Sequence, residues 1–158
     1  MGGRPRYVQP SWATTNVFNR IVALLTRAGL SVYGSRVLAV RGRRSGEWRT
    51  VPVNLLEHRG DRYLVAPRGV TEWVRNIRAS GGGELRLGAR REPIRVVELS
   101  DEEKLEVLRA YLRRWRFEVG VFFQGVGPDA SDEELRRIAP DYPVFRLLPA
   151  PPQSSATR

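Results

Sequence analysis

Short apolar runs separated by turn residues dominate the chain after residue 36. Residues 37–41 and 62–66 have the length and composition of strands, and residues 50–58 are mostly apolar, as in a strand covered on both faces. The turn-like sequence at residues 59–61 joins two of these runs, so the pattern predicts a hairpin. A second hairpin is predicted from residues 84–87 and 93–99, with residues 88–92 as its turn, and residues 143–148 predict a closing strand.

Apolar residues at helical spacing predict a first helix over residues 15–28. Thr14 or Thr15 is its N-cap and Gly29 its stop. Basic residues lie off its apolar stripe. Packing on the domain's own sheet is favoured, and peripheral contact with a membrane surface is the alternative. A second helix, residues 72–79, ends at the glycine-rich residues 80–83 and places on one side Trp73, Val74 and Ile77.

Two further helices are predicted from capping boxes, in which a serine hydroxyl and a glutamate three residues later satisfy each other's backbone amides. The sequence Ser-Asp-Glu-Glu occurs at residues 100–103 and again at residues 131–134. Helix capping and the helix dipole account for the acidic cluster at residues 101–103, so the cluster is not interpreted as catalytic. The first of these helices has a predicted buried stripe of Leu105, Leu108, Tyr111, Leu112 and Trp115.

The resulting order is β-β-β-α-β-β-α-α-β after the first helix. Helices do not alternate with single strands, so a doubly wound parallel sheet is disfavoured, and an α+β fold with a mostly antiparallel sheet or barrel and helices at its rim is predicted. We expect one domain over residues 14–149, a flexible N-terminal arm over residues 1–13 and a disordered Pro/Ser tail over residues 150–158.

Composition removes several kinds of chemistry. The 158 residues include no cysteine, which excludes disulfides and thiolate catalysis, and one histidine, His58, which leaves little material for a catalytic triad or a multi-histidine metal site. We predict His58 to be solvated at a hairpin end. No run has the length of a membrane span and the N-terminus does not resemble a signal peptide, so a cytoplasmic location is expected.

The net charge of +10 is concentrated near the N-terminus. Residues 1–60 carry ten basic and two acidic groups, a net +8, and include the arginine- and glycine-bearing stretch of residues 41–54. Backbone amides at residues 42–46 and the guanidinium groups of Arg44 and Arg49 are suited to an anion. An idle, solvated basic turn is equally consistent with these residues.

Other nucleotide-binding motifs do not fit. Residues 42–46 lack the spacing and the Lys-Ser/Thr pair of a phosphate-binding P-loop. Residues 125–130 match G-x-G-x-x-A, but they lie near the end of the domain and outside a βαβ unit, so we interpret them as a loop.

The run G-R-R-S-G-x-x-R-T-x-P-V at residues 42–53 resembles the signature of the deazaflavin (F420)-dependent nitroreductase and quinone reductase family. L-V-A-P-R-G at residues 64–69, W-V-R-N at residues 73–76 and P-V-F-R-L at residues 143–147 are similar to further segments of that family. The resemblance spans about residues 15–148. It implies a split β-barrel of the FMN-binding type, with coenzyme F420 as cofactor.

The resemblance also implies site residues. Arg44 and Arg49 would hold the cofactor phosphate, Pro52 and Asn54 would pass the deazaflavin ring, and residues 66–69 would contact its polar edge. The full implied cofactor-binding set is Arg43, Arg44, Ser45, Gly46, Arg49, Pro52, Asn54, Ala66, Pro67, Arg68, Gly69, Trp73 and Asn76. Aromatic residues in the region where family members line the substrate are Phe117, Phe122 and Phe123.

The implied activity is hydride transfer from reduced deazaflavin to an electron-poor small molecule such as a quinone, an enone or a nitroaromatic. The protein then needs no side-chain nucleophile, because the cofactor supplies the hydride. The alternatives are an FMN-binding split-barrel reductase and a non-catalytic basic module for nucleic acid or lipid. Nucleic acid is not expected, because aromatic residues do not interleave with the arginines. Either a monomer or a homodimer is compatible with the sequence.

Overall fold

The computed structural model describes residues 35–119 and 122–149, so the predicted arm, first helix and tail lie outside the described residues. The described strands are β1 Ser35–Arg41, β2 Trp48–His58, β3 Asp61–Val65, β4 Gly82–Leu87, β5 Arg90–Glu98 and β6 Val144–Pro149. The described helices are α1 Glu72–Ser80, α2 Lys104–Val119 and α3 Asp132–Ile138, followed by a 3-10 turn at Ala139–Asp141.

The six strands close into a barrel in the order β1-β2-β3-β6-β5-β4. Every neighbouring pair is antiparallel, including the closing pair of β1 with β4. The predicted α+β fold with a mostly antiparallel split β-barrel and peripheral helices is therefore confirmed.

Apolar side chains from all six strands fill the barrel, because alternate residues of each strand point inward. Helix α1 closes one end, which we call the α1 end, by inserting Val74 and Ile77, both 0% exposed. The interior cluster consists of Leu38, Val40, Leu55, Leu64, Ala66, Val74, Ile77, Leu85, Ile94, Phe145 and Leu147. At the opposite end, Arg62 donates from two nitrogens to the carboxylate of Glu92, at 2.9 and 2.5 Å.

Helices α2 and α3 pack on the outer face of β2, β3 and β6 and form a second core. The predicted stripe of α2 is buried throughout. Both capping boxes are confirmed. The Ser100 amide donates to Glu103 Oε1 at 3.0 Å and the Glu103 amide to Ser100 Oγ at 3.3 Å, and the same pair of bonds joins Ser131 and Glu134.

The glycine-rich residues 80–83 act differently from the prediction. Gly81 ends α1 with a φ of 76°, but Gly82 and Gly83 belong to β4. A Cβ on Gly82 would collide with the carbonyl oxygen of Ile94, and a Cβ on Gly83 with that of Ala39. These glycines therefore permit close approach of neighbouring strands rather than breaking the chain.

Two other local predictions were wrong. The turn of the second hairpin is two residues long, Gly88 and Ala89, because Gly88 adopts a φ of 61° and lets β5 begin at Arg90. His58 is half-buried rather than fully solvated. Its side chain is 24% exposed and its Nε2 lies 3.7 Å from Glu106 Oε1, because α2 covers the end of β2.

None of the helices within the described ranges combines the length and the apolarity needed to cross a bilayer.

Candidate functional site

The turn between β1 and β2, residues 42–47, lies at the α1 end of the barrel. The Gly42 amide donates to the Glu47 carbonyl at 2.7 Å, and the Gly46 amide donates to the Gly42 carbonyl at 2.8 Å. Gly46 has a φ of 73°, a conformation that glycine adopts without strain. The turn is therefore closed by its own backbone before any ligand binds.

Arg43 joins this turn to helix α1. Its amide donates to Asn76 Oδ1 at 3.1 Å and its Nη1 to the same oxygen at 2.9 Å. Its Nη1 also lies 2.8 Å from Glu72 Oε2. The pKa of Glu72 is lowered, chiefly because Arg43 donates this hydrogen bond, and the charge of Arg75 acts in the same direction. The charge of Arg43 is thus compensated inside the protein.

The remaining backbone donors of the turn lie at its tip. The Glu47 amide donates to Ser45 Oγ at 3.2 Å. Within the residues that the structure describes, the consecutive amides of Arg44 and Ser45 have no acceptor. The Ser45 hydroxyl accepts from Glu47 and keeps its own proton to donate. Two adjacent amides and a hydroxyl form a small set of donors suited to an anionic oxygen. The amides that have acceptors are those of Gly42, Arg43, Gly46 and Glu47.

Arg44 and Arg49 supply the positive charge around this tip. Arg44 is exposed and makes no ion pair with any described residue. The nearest carboxylate oxygen to Arg49 is that of Glu47 at 3.9 Å, and the two side chains are 64% and 76% exposed. An exposed pair at this distance contributes little, so Arg49 remains available to an anion.

The predicted ring-flanking residues of β2 lie on its outer face. Pro52 pairs with Val37 and Asn54 with Ser35, and both are half-buried. Strand alternation puts Arg49 on the opposite face, with Val51 and Val53 of the barrel interior. Arg49 and Pro52 are about 10 Å apart along the strand. A ligand that contacts both must therefore be extended and must pass from one face of β2 to the other.

Residues 66–69 lead from β3 into α1. The Ala66 amide donates to the Pro143 carbonyl at 2.9 Å and the Gly69 amide to the Ala66 carbonyl at 3.2 Å. Gly69 has a φ of 84°, which favours glycine at this bend. Trp73 follows on α1 and is half-buried, with its ring centroid 5.9 Å from that of Phe145. Of the predicted site residues, the structure therefore joins Arg43 directly to Asn76 and places residues 66–69 immediately before the same helix.

The predicted substrate-lining phenylalanines separate into different environments. Phe123 is 0% exposed and its ring stacks on Tyr142 at a centroid distance of 4.3 Å. It is thus a core residue rather than a lining residue. Phe122 is half-buried, and its carbonyl accepts a hydrogen bond from the Tyr142 hydroxyl. The side chain of Phe117 lies outside the described residues.

Two residues near the turn were missed by sequence reasoning. Glu72 lies four residues before Asn76 and therefore on the same helix face, a spacing that could have identified it as a partner of the arginine-rich turn. Trp48 is 40% exposed, and the guanidinium carbons of Arg41 and Arg86 lie 4.1 and 5.4 Å from its ring centroid. We find no sequence signal that would have identified the second contact, because Arg86 comes from β4.

Comparison with known proteins gives one family match and several fold matches. The model of the family described as F420H(2)-dependent quinone reductase matches residues 14–119. No curated protein matches the sequence significantly.

Three solved structures are similar to this chain in fold. One is an F420-H2 dependent reductase, FDR-A, with a TM-score of 0.53 and 19% identity over 73% of this chain and 94% of that one. One is described as a domain-swapped dimer, with a TM-score of 0.54 and 18% identity over 86% of this chain and 100% of that one. The third is Atu2129, of unknown function, from Agrobacterium tumefaciens str. C58, with a TM-score of 0.55 and 17% identity over 92% of this chain and 59% of that one.

Proposed function

The chain belongs to the F420H(2)-dependent quinone reductase family, so it is an oxidoreductase that uses coenzyme F420, and we propose that it transfers a hydride from the reduced deazaflavin to an electron-poor small molecule at the α1 end of the barrel. The observation that carries the proposal is the turn of residues 42–47. Its tip has two consecutive amides without acceptors among the described residues, beside the available guanidinium groups of Arg44 and Arg49.

The donor set fits the cofactor. F420 carries a phosphodiester and a polyglutamate tail, both anionic, and guanidinium groups with backbone amides are strong donors to such oxygens. The extended spacing from the turn to Pro52 and Asn54 suits a ligand whose anionic part and ring lie well apart.

The protein's part in the reaction is binding and orientation. Arg44, Ser45 and Arg49 would hold the anionic part. The half-buried Pro52, Asn54 and Trp73 would lie beside the ring and limit the access of water. When bound, the reduced cofactor supplies the hydride. The rate then depends on how well the protein holds the donor carbon near contact distance from the acceptor carbon, which is a matter of positioning rather than of a side-chain nucleophile.

For the acceptor, we propose a planar compound of the quinone, enone or nitroaromatic class. Phe122 is the predicted substrate residue whose described side chain is half-buried rather than fully buried. Phe122 packs against the core of α2 and α3, and a half-buried aromatic side chain can also pack against a flat, apolar acceptor.

Turnover tests this proposal. The protein is mixed with reduced F420 and one quinone, one enone or one nitroaromatic at a time, and the return of the oxidised deazaflavin absorbance is followed. We expect enzyme-dependent oxidation with at least one class and slower turnover for Phe122→Ala with that class. Tight F420 binding without oxidation by any of the three classes would contradict hydride transfer to these acceptors.

A homodimer is the assembly that we propose. The description of one fold relative as a domain-swapped dimer supports it. Light scattering after size-exclusion chromatography is expected to give twice the chain mass of 18.0 kDa. A mass of one chain at all accessible concentrations would show a monomer instead.

A further inference from the structure

Arg43, Glu72 and Asn76 form a set of contacts between the 42–47 turn and helix α1, which we call the Arg43 clamp. We propose that Asn76 and Glu72 are positioning residues that fix the turn through Arg43 and do not contact the cofactor, so that anion recognition falls to Arg44, Ser45 and Arg49. This inference rests on the proposed function, and it reverses the direct cofactor contact that the family resemblance implies for Arg43 and Asn76.

The charge of Arg43 is already compensated within the clamp. Its guanidinium group is 2.8 Å from Glu72 Oε2 and 2.9 Å from Asn76 Oδ1, and its side chain is 24% exposed. A phosphate oxygen at this guanidinium would have to displace the Glu72 carboxylate or lie beside it. Its neighbour Arg44 has no such competing carboxylate among the described residues.

Asn76 is buried beneath the turn and bound to Arg43. The residue is 5% exposed, and its single oxygen accepts both the amide and the guanidinium of Arg43. Because the Arg43 amide is held toward α1, the two amides that follow it, those of Arg44 and Ser45, are left at the exposed tip of the turn. Asn76 Oδ1 is thus occupied by Arg43, and only the Nδ2 group of Asn76 is left to donate to an anionic cofactor, a contact that the proposal excludes.

A comparison of Asn76→Asp with Asn76→Ala separates these two roles. Aspartate keeps an acceptor for Arg43, whereas alanine removes it and leaves the Arg43 amide without a partner. Loss of a preorganised turn is expected to weaken F420 binding about tenfold in Asn76→Ala, and Asn76→Asp should bind more tightly than Asn76→Ala. If Asn76 donates to the cofactor, the new negative charge makes Asn76→Asp the weaker binder, and that order would overturn the proposal.

A charge-neutral double variant tests the role of Arg43 without leaving Glu72 as an unpaired charge. Arg43→Met with Glu72→Gln removes the ion pair and leaves the net charge unchanged, and Glu72 is 71% exposed. Arg44→Met with Glu133→Gln is the matched comparison, because it also leaves the net charge unchanged and Glu133 is exposed on α3. We expect the Arg43 double variant to lose less F420 affinity than the Arg44 double variant and to keep the salt dependence of the wild type, whereas the Arg44 double variant flattens that dependence. An equal loss with an equal flattening would make Arg43 a direct ligand and overturn the proposal.

Amide hydrogen exchange in the ligand-free protein tests the clamp independently of the cofactor. We expect exchange at the Arg43 amide to be faster in Asn76→Ala than in the wild type, and close to wild type in Asn76→Asp. Unchanged exchange in Asn76→Ala would overturn the clamp. Failure of the wild type to bind F420 with this exchange pattern intact would count against the proposed function alone.

Discussion

At the scale of single residues, anion binding by the 42–47 turn depends on which of its backbone amides already have partners. The sequence left an anion site and an idle basic turn equally open, because arginine and glycine content does not reveal hydrogen bonding. The structure assigns four amides to internal acceptors and leaves those of Arg44 and Ser45 without acceptors among the described residues. This distribution narrows the candidate anion contacts to a few atoms.

Arg44 and Arg49 are each predicted to contribute to F420 binding through their positive charge. A charge-assisted hydrogen bond is worth about 1.5–3 kcal/mol, so Arg44→Ala or Arg49→Ala should raise the Kd for F420 by about tenfold to 100-fold. Arg137→Ala, on the exposed last turn of α3, is the control. Fluorescence titration measures the Kd of all three variants. A loss of affinity in Arg137→Ala equal to that in Arg44→Ala would show that only the net charge of the protein matters.

Gly83 is predicted to be required by packing rather than by its backbone angles. Gly83→Ala forces a Cβ onto the carbonyl oxygen of Ala39 and should destabilise the barrel by about 1–3 kcal/mol, the usual range for overpacking. Gly127→Ala is the control, because a Cβ there meets nothing within 4 Å. Urea unfolding measures both variants. Equal midpoints for the two would contradict the close strand approach.

At the scale of elements, local signals located the helices and most strands. The capping boxes at Ser100 and Ser131 mark helix starts because they are self-contained hydrogen-bond motifs within four residues. The second hairpin turn was misjudged locally, at Gly88, whereas the wrong predictions for Gly82 and His58 have their cause in contacts between elements distant in the chain. Gly82 is a strand residue because it pairs with Arg95 of β5, and His58 is half-buried because of α2. Such contacts leave no trace in a short window of sequence.

The two capping boxes should contribute comparably to stability. Replacing a capping serine by alanine costs about 0.5–2 kcal/mol. Ser100→Ala and Ser131→Ala are each expected to lower the free energy of unfolding within this range. Ser80→Ala, at the C-terminal end of α1, is the control because Ser80 does not cap a helix start. Chemical unfolding followed by circular dichroism measures the three, and a loss in Ser80→Ala as large as that in Ser100→Ala would contradict the capping role.

At the scale of the whole molecule, strand order indicated an antiparallel sheet or barrel, and the family resemblance indicated a split barrel. Closure of β1 against β4 could not be inferred from local pattern, because it depends on strands more than 40 residues apart. The arrangement of the site could not be inferred from local pattern either. The motifs indicated which residues belong to the site. They did not indicate that Arg43 is held by α1 while the tip of the turn is free, because Glu72 of α1 is 29 residues away from Arg43 in sequence.

The ion pair of Arg62 with Glu92 at the far barrel end predicts a pH dependence of stability. The pKa of Glu92 is lowered, mainly because Arg62 donates hydrogen bonds to it. A carboxyl group whose folded pKa is depressed stabilises the protein above its unfolded pKa, and this stability is lost as pH falls through the folded pKa. We therefore expect the Tm to fall in acid, and Glu92→Gln to lower the Tm at neutral pH and to flatten that fall.

Glu133→Gln is the matched control for this experiment, since Glu133 is an exposed glutamate on α3. Differential scanning calorimetry across the acidic range measures the three proteins. An acid slope in Glu92→Gln as steep as in the wild type would show that the ion pair does not contribute to the pH dependence.

The most direct measurement of the central claim is a titration of the purified protein with oxidised F420, followed by deazaflavin fluorescence, with FMN titrated in parallel. We predict a saturable change at micromolar F420, weakened by added salt and by Arg44→Ala, with FMN bound more weakly. The absence of a saturable change with F420, or preferential binding of FMN, would contradict the account.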